Sequence, residues 1–280
     1  MDNINTNKPT ITIWLKKVIR NLINACIVGL SRLSRADLLY LAHRERGILR
    51  SGNFRTTGEM FFVENYLRSA IKNEKIVFID AGANKGNYSV FLKKIFPSAQ
   101  IHSFEPNPYA YKTLLSKAKE YGLFVHNAGL SSSASTVNMY LYADDATTER
   151  ASLYGGSLKD MFDFNHPRSV NVQLTRLDDF CHKQNIDRIN FLKIDTEGHE
   201  FEVLKGAGSL LEQAKIDIIQ FEFNMTNIVS RVFLKDFYEL MPNYDFYRLR
   251  RKNLLPLGPY NSVNEIFIIH NLIAIPRMHS

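Results

Sequence analysis

The stretch VFIDAGANKGNYSVF, residues 77–91, joins a short apolar run to a glycine-containing turn and then to helix-forming residues. The apolar run ends at Asp80, and the turn holds Gly82 and Gly86. This order predicts a buried strand, a tight corner and a helix, the first unit of an alternating α/β domain. Such a corner either binds a ligand at the strand end or serves only the backbone, with the acid as a helix cap.

Strand and helix patterns alternate along most of the remaining chain. Further strands are predicted at 100–106, 123–130, 189–195, 217–223 and 244–250, and helices at 88–95, 108–120, 201–211 and 233–240. An added pair of strands, 137–142 and 170–174, interrupts this alternation. Repeated strand–helix–strand units predict a mainly parallel sheet that is covered by helices on both faces.

Basic charge is concentrated in the N-terminal arm, which we define as residues 1–57. The arm carries ten basic and three acidic side chains, whereas residues 58–280, the expected main domain, carry 25 of each. The net charge of +7 therefore belongs to the arm. Residues 11–33 have helical periodicity, with an apolar face opposite basic side chains. One interpretation is peripheral contact with an anionic membrane; the other is packing on the main domain or on a second subunit.

Composition also limits the partners and the compartment. The main domain has no excess of basic charge, which argues against nucleic acid as its partner. Cys26 and Cys181 lie far apart in sequence and form no metal-ligand pair such as C-x-x-C. A disulfide between them stays an alternative, but a reducing compartment is favoured, so we expect a cytoplasmic protein.

Acidic side chains end three of the predicted strands. Asp80, Glu105 and Asp195 fall at the sheet edge where open α/β folds bind ligands. The turn after Asp80 has neither the G-x-G-x-x-G spacing of a dinucleotide loop nor a P-loop lysine. A carboxylate beside it would repel a pyrophosphate and attract a sulfonium. Glu105, about 20 residues later, suits ribose hydroxyls. A cationic group together with a ribose indicates S-adenosylmethionine.

These motifs, in their order, resemble the FkbM-type methyltransferases. The matching segments are FIDAGANKGNYS (78–89), FEPNP (104–108), KIDTEGHEFEVLKGA (193–207) and IIQFEFN (218–224). The resemblance covers about residues 59–276 and implies a Rossmann-like class I fold with a mainly parallel, seven-stranded sheet. It also implies a cofactor site made of Asp80, Gly82, Asn84, Gly86, Glu105 and, on the adenine side, Asn127.

The fourth predicted parallel strand leads into the residues suited to methyl transfer. The reaction is an in-line displacement, for which the acceptor hydroxyl must be aligned and lose its proton. His199 has a suitable ordinary pKa, about 6.5, for a base, and Asp195 would orient the hydroxyl or the imidazole. Glu222, at the end of the fifth strand, is a further candidate. Lys193 is expected to pair with Asp195. No tight ligand spacing is present, so no metal is predicted.

The polar insertion at residues 143–169 is the longest predicted loop. Loops of this length in a domain are usually functional or disordered. We expect a substrate lid, with Gly155-Gly156 as a hinge and Tyr154 stacking on a sugar ring; a disordered surface excursion is the alternative.

The leading interpretation is S-adenosylmethionine-dependent methylation of a hydroxyl. The resemblance implies a carbohydrate or glycolipid acceptor. A nicotinamide oxidoreductase on a related fold is an alternative, although it predicts a G-x-G-x-x-G turn. A non-catalytic binding domain that keeps the cofactor fold is another. A homo-oligomer stays open, since the sequence fixes neither the acceptor nor the oligomeric state.

Overall fold

The computed structural model describes residues 11–49, 54–72, 75–141, 151–154 and 168–277. The chain divides into two units, Met1–Glu45 and Arg46–Ser280. The smaller unit contains helix α1, Ile11–Ser34, and helix α2, Leu38–Glu45. Among the described residues, no helix combines the length and the apolar character that crossing a bilayer requires. Cys26 and Cys181 are free thiols.

The larger unit begins before the end of the charge-rich arm. The Leu49 amide donates to the carbonyl oxygen of Ile269 at 2.7 Å, and both Ile48 and Thr57 are buried. Residues 46–49 and 54–57 thus belong to the larger unit, although they fall within the basic arm defined from the sequence. Helix α2 accordingly ends at Glu45, before this segment begins.

An eight-stranded sheet forms the centre of the larger unit. Across the sheet, the strands follow the order β11 (Leu254–Pro256), β10 (Tyr244–Leu249), β12 (His270–Pro276), β9 (Ile219–Phe223), β8 (Phe191–Ile194), β1 (Val77–Ala81), β2 (Gln100–Phe104) and β3 (Phe124–His126). Neighbours from β3 to β9 are parallel, whereas β12 is antiparallel to both of its neighbours and β11 is antiparallel to β10.

The expectation of a mainly parallel sheet is therefore confirmed, but the predicted count of seven strands is wrong by one. The additional strand, β11, pairs with the end of β10 and follows it after a short turn. From β1 the chain moves to β2 and β3 on one side, and later to β8 and β9 on the other. The strand order thus reverses between β1 and β8, where α/β sheets of this kind bind ligands.

Helices cover both faces of the sheet. They are α3 (Glu59–Phe61), a π-helical segment (Phe62–Leu67), α4 (Arg68–Ala70), α5 (Asn87–Ile95), α6 (Pro108–Tyr121), α7 (Leu177–Gln184), α8 (Glu200–Lys205), α9 (Gly208–Glu212), α10 (Thr226–Ser230) and α11 (Leu234–Leu240). One face packs Phe78 and Phe191 against the π-helical segment and α5, and the other packs Leu192 and Phe221 against α7, α8 and α11. Burial of these faces supplies most of the favourable free energy of folding.

A second, four-stranded sheet extends beyond β3. Its order is β4 (Gly129–Leu130), β7 (Arg168–Thr175), β5 (Ser135–Leu141) and β6 (Ala151–Ser152). The added pair expected near 137–142 and 170–174 is the antiparallel pair of β5 and β7. Of the polar insertion, residues 151–154 and the start of β7 are described; Gly155-Gly156 lies outside the described residues.

Candidate active site

A cavity of about 480 Å³ opens at the carboxyl edge of the large sheet. Six of the nine predicted site residues line it: Gly82, Asn84, Glu105, Asp195, His199 and Glu222. They lie at the ends of β2, β1, β8 and β9, which are parallel neighbours in the sheet. The carboxyl ends of these strands therefore meet at one edge. The position agrees with the point at which the strand order reverses.

The Gly82 turn fixes the distance between the ends of β1 and β8. Gly82 has a φ of +82°, and its amide donates to the carbonyl oxygen of Phe104 at 3.0 Å. A Cβ atom at this position would lie 1.8 Å from the carbonyl oxygen of Asp195. No side chain fits there, so the turn needs glycine for both its conformation and its close approach to β8.

Glu105 ties the turn to the end of β2. One carboxylate oxygen accepts from the Asn84 amide and the other from the Asn107 amide, both at 2.7 Å. Burial raises the pKa of Glu105 to about 7, against the opposing effect of these two amide donors. The Oδ1 atom of Asn84 is buried and has no hydrogen-bond partner among the described residues. The cavity therefore holds a fixed carboxyl group and an unsatisfied acceptor, which suit a ligand that carries hydroxyl donors.

Three of the predicted cofactor residues lie outside the cavity lining. Asp80 is buried in β1 and accepts a hydrogen bond from the Ser89 hydroxyl. A Cβ atom at Gly86 would meet the Leu114 side chain at 2.5 Å, so this glycine allows close packing on α6. The Asn127 amide group donates to the carbonyl oxygens of Glu105 (2.9 Å) and Pro106 (3.2 Å). In this geometry, all three support the elements that form the cavity.

A buried polar row runs beneath the cavity. Strand register sets Lys193 between Asp80 and Gln220, and the Lys193 ammonium donates to Asp195 Oδ2 at 2.9 Å. The predicted ion pair is thus confirmed. Burial disfavours the charged ammonium, but the charges of Asp195, Glu59 and Asp80 outweigh this effect and raise the pKa of Lys193. Lys193 therefore stays charged and fixes the Asp195 carboxylate.

Carboxylates dominate the polar side of the cavity. Asp195, Glu197 and Glu222 line it together, and the Asn224 amide donates to Glu222. Burial, followed by the charges of Asp195 and Glu197, raises the pKa of Glu222 well above its ordinary value. A group with this pKa takes up a proton more readily than a solvated carboxylate. The same surplus of acids favours a ligand that bears positive charge.

His199 lines the cavity, and both of its ring nitrogens are hydrogen-bonded. Nδ1 is 3.0 Å from the Tyr154 hydroxyl, and Nε2 is 2.9 Å from the Ser131 hydroxyl. Burial lowers the pKa of His199 to about 4, so the ring is neutral at pH 7. Tyr154 thus connects the described part of the polar insertion to a predicted catalytic residue.

The two acids that follow His199, Glu200 and Glu202, make different contacts. One oxygen of Glu200 accepts from the amides of Thr196 (2.8 Å) and Gly198 (3.2 Å). Glu202 accepts from the Ser132 hydroxyl and from the Lys205 ammonium. The Glu200 contacts thus stabilise the turn before α8, whereas Glu202 bonds only to side chains in these contacts.

The sequence does not predict the apolar wall of the cavity. It is formed by Pro106, Ala110, Leu130, Met139, Leu153, Leu174 and Ile269. Several of these residues belong to the second sheet, whose pairing to the main domain no local pattern predicts. The FEPNP segment offered one signal, because Asn107, the N-cap of α6, also lines the cavity.

Comparison with known proteins identifies the class to which this fold and site belong. The methyltransferase FkbM domain matches residues 80–271, more than half of the chain. The chain therefore belongs to the FkbM methyltransferase family, and its Rossmann-like fold is that of a class I methyltransferase. Family membership also counts against the nicotinamide oxidoreductase alternative.

Individual relatives match more limited parts of the chain. Methyltransferase sdnD of Sordaria araneosa is 35% identical over 153 residues, which are 46% of this chain and 59% of that protein. Hexuronic acid methyltransferase AglP of Haloferax volcanii is 25% identical over 205 residues, 70% of this chain and 78% of that protein. The chain thus spans less than two thirds of the length of sdnD.

Among solved structures, methyltransferase FkbM of Methylobacillus flagellatus matches with a TM-score of 0.45 and 16% identity. The match covers 76% of this chain and 47% of that chain.

Proposed function

We propose that this protein transfers a methyl group from S-adenosylmethionine to an oxygen atom of a carbohydrate acceptor. The observation that carries the proposal is the acid-rich cavity at the edge of β1, β2, β8 and β9, in a chain of the FkbM methyltransferase family. A sulfonium and a ribose are the two parts of the donor that this lining suits.

The cavity fits the donor on two independent grounds. Glu105 holds its carboxyl group rigidly through the Asn84 and Asn107 amides, ready to accept from ribose hydroxyls. The unsatisfied Asn84 Oδ1 needs a donor, and Asp195, Glu197 and Glu222 supply negative charge for a cation. The apolar wall around Leu130 and Leu174 suits the adenine ring.

When bound, S-adenosylmethionine supplies an electrophilic methyl group. Asp195, held by Lys193, would accept a hydrogen bond from the acceptor hydroxyl and orient it. Glu222 would take the hydroxyl proton, because its burial beside Asp195 raises its affinity for a proton. His199, bonded through both nitrogens, would position Ser131 and Tyr154 at the rim instead of acting as the base.

The acceptor class rests on the relatives. The name of AglP identifies its substrate as a hexuronic acid, a molecule whose nucleophilic atoms are all oxygens. A hydroxyl acceptor agrees with a site built from carboxylates rather than from cationic groups. Tyr154, in the described part of the insertion, bonds to the cavity residue His199 and would contact the sugar ring.

Calorimetry with S-adenosylmethionine, S-adenosylhomocysteine and NAD, followed by labelled-methyl transfer to candidate saccharides, tests this proposal. We expect binding of the two adenosyl ligands and none of NAD. Glu222→Gln should lower turnover while preserving cofactor affinity, with the exposed Glu239→Gln as a matched control. A protein that binds neither adenosyl ligand would refute the function; full activity of Glu222→Gln would refute only the assigned base.

We further propose that α1 contacts anionic membrane surfaces. Within the smaller unit, Trp14, Leu22 and Leu30 are exposed on a helix that also carries Lys16 and Lys17. An interfacial helix needs this combination of apolar area and positive charge. Flotation with anionic and neutral vesicles should show salt-sensitive binding to anionic vesicles that is lost when residues 1–45 are removed. Equal flotation of both proteins, or of neither, would contradict it.

A further inference from the structure

Exposed apolar side chains of the larger unit concentrate at the carboxyl edge of the large sheet, where the cavity opens. Nine large apolar side chains are exposed among the described residues of this unit, and five of them lie at that edge: Tyr109, Met225, Ile228, Phe233 and Val263. Their exposed fractions run from 41% to 69%. Single exposed apolar residues need no explanation, but a group of them on one surface marks a contact with another molecule.

The turn that follows β9 brings two of these side chains to the cavity. Met225 and Ile228 belong to one turn of the chain, in which the Ile228 amide donates to the Met225 carbonyl oxygen at 3.1 Å. A Cβ atom at Gly198 would lie 3.1 Å from the Thr226 side chain, within the same turn. Gly198 in turn lies between two residues that line the cavity. This apolar turn therefore borders the mouth of the cavity.

Phe233, at the start of α11, is connected to the same edge. Its ring centroid is 6.1 Å from that of Phe267, which is 5.2 Å from that of Phe223 at the end of β9. Glu265 accepts from the first amide of α11 at 2.8 Å and so holds the segment that contains Val263 beside this helix. Phe233 and Val263 thus share the edge with the turn after β9.

Tyr109 provides an apolar side chain on the opposite side of the cavity. It lies in the first turn of α6, which follows β2, and its neighbours Asn107 and Ala110 line the cavity. Three strand spacings, about 14 Å, separate β2 from β9. Exposed apolar groups therefore stand on both sides of the cavity mouth.

Exposed basic side chains occupy this edge as well. β10 ends at Leu249, and the turn from it to β11 exposes Arg251 and Lys252. Since β10 and β9 are both antiparallel to β12, they run in the same direction, and this turn lies about 10 Å from the end of β9 across β12. Arg231, exposed between α10 and α11, is a third basic side chain at the edge.

The acids near these basic side chains bind the start of α11. Asp236 accepts from the N-cap amide of this helix at 2.7 Å, and Glu265 accepts from the next two amides. Both acids are half-buried, whereas the three basic side chains are exposed. Lys235, also exposed, pairs with Glu239 and adds no net charge. A surface that approaches this edge therefore meets apolar groups together with positive charge.

We propose that the carboxyl edge of the larger unit docks on an anionic lipid surface, with its cavity open toward the bilayer. The basic side chains would bind lipid phosphates and the apolar ones would enter the interface, the combination that peripheral membrane binding requires. A nucleic acid would match the charges but leave Ile228, Phe233 and Val263 in water. The inference goes beyond the contact proposed for α1, because it concerns the larger unit and orients the cavity.

Site-specific fluorescence on the full chain tests this orientation. In a Cys26→Ser background, in which the remaining Cys181 is buried, Val263→Cys would carry a polarity-sensitive nitrobenzoxadiazole label. Gln213→Cys, exposed before β9 at the opposite edge of the sheet, is the matched control. Vesicles containing phosphatidylglycerol should shift the emission of the label at 263 to shorter wavelengths and allow its quenching by nitroxide lipids. The label at 213 should not respond, and vesicles of phosphatidylcholine alone should change neither.

Removal of charge gives a second measurement. Each Lys or Arg near an anionic surface contributes about fivefold in affinity, so Arg251→Gln combined with Lys252→Gln should weaken binding to the anionic vesicles roughly 25-fold. Lys183→Gln combined with Lys215→Gln removes the same charge from the opposite edge and should leave the affinity unchanged. An equal loss in both double variants would contradict docking through the carboxyl edge.

The single tryptophan distinguishes this surface from helix α1. Trp14 fluorescence reports on α1, whereas the label at position 263 reports on the larger unit. A response of the label, with or without one of Trp14, supports the proposal; a response of Trp14 alone, or of neither, would overturn it. A label that shifts with protein concentration in the absence of vesicles would assign the surface to a second copy and also overturn it. None of these measurements uses methyl transfer, so failure of the proposed function would be seen separately.

Discussion

Replacing Gly82 by alanine tests the close approach on which the candidate site depends. The new Cβ would lie 1.8 Å from the carbonyl oxygen of Asp195 and 2.8 Å from its carbonyl carbon. Both are backbone atoms at the end of β8, so no side-chain rotation relieves the contact. The turn must move away from β8, and the movement displaces the carboxylate that we assign to the acceptor hydroxyl.

The magnitude follows from two separate costs. A left-handed backbone costs a residue with a Cβ atom about 1–2 kcal/mol, and forcing an atom into a packed interior costs about 1–3 kcal/mol more. Gly82→Ala should therefore lose about 2–5 kcal/mol of unfolding free energy. Gly122 provides the matched control: its φ is +67°, and a Cβ there would meet nothing within 4 Å. Gly122→Ala should thus lose only the first contribution, about 1–2 kcal/mol.

Urea unfolding followed by far-UV circular dichroism measures this difference. The single tryptophan, Trp14, belongs to the smaller unit, so its fluorescence would not report on the sheet. Gly82→Ala should also weaken S-adenosylhomocysteine binding, whereas Gly122→Ala should leave it unchanged. Surface substitutions typically change the unfolding free energy by no more than about 0.5 kcal/mol. If the unfolding free energies of the two variants differ by less than this, the close approach of the turn to β8 is not the reason for glycine at position 82.

Further predictions concern the ionisable groups of the cavity. The pKa of Glu105 is raised to about 7, so its carboxyl group becomes protonated as the pH is lowered from 8 to 6, and cofactor affinity should fall. In calorimetry, Glu105→Gln should bind the cofactor more weakly and without this pH dependence. His199→Gln should lower kcat without moving the pH of half-maximal kcat, because the ring is neutral throughout this range; a midpoint that moves contradicts its positioning role. Tyr154→Phe should raise KM for the acceptor more than it lowers kcat, since the lost hydroxyl contacts His199 at the rim; an unchanged KM argues against this contact.

Part of the site could be predicted because strand ends obey a simple rule. Gly82, Glu105 and Asp195 each follow an apolar run, and parallel strands bring such positions to one edge. The direction of the Asp80 side chain could not be predicted in this way. All five residues of β1 are buried, so alternation along the strand gives no sign of which face is which. The packing role of Gly86 could not be predicted either, because the residue it contacts, Leu114, belongs to another helix and is distant in sequence.

Long-range pairing explains the remaining differences. Residues 46–49 lie in the basic arm, yet the Leu49 amide donates to the carbonyl oxygen of Ile269, more than 200 residues away. Strand β11 has too few residues to show an alternation of apolar and polar side chains. It forms because it pairs with β10 at the edge of the sheet. Local patterns contain no information about such partners, since each depends on where the sheet has already placed another strand.

The antiparallel strand β12 limits the rule that locates sites at carboxyl ends. Because β12 runs opposite to β9, its amino end reaches the edge where β9 ends. Ile269 consequently lines the cavity beside Glu222, although it precedes a strand instead of following one. A search for ligand residues after strands finds the half of the cavity built by β1, β2 and β8, and it misses the half to which β12 contributes.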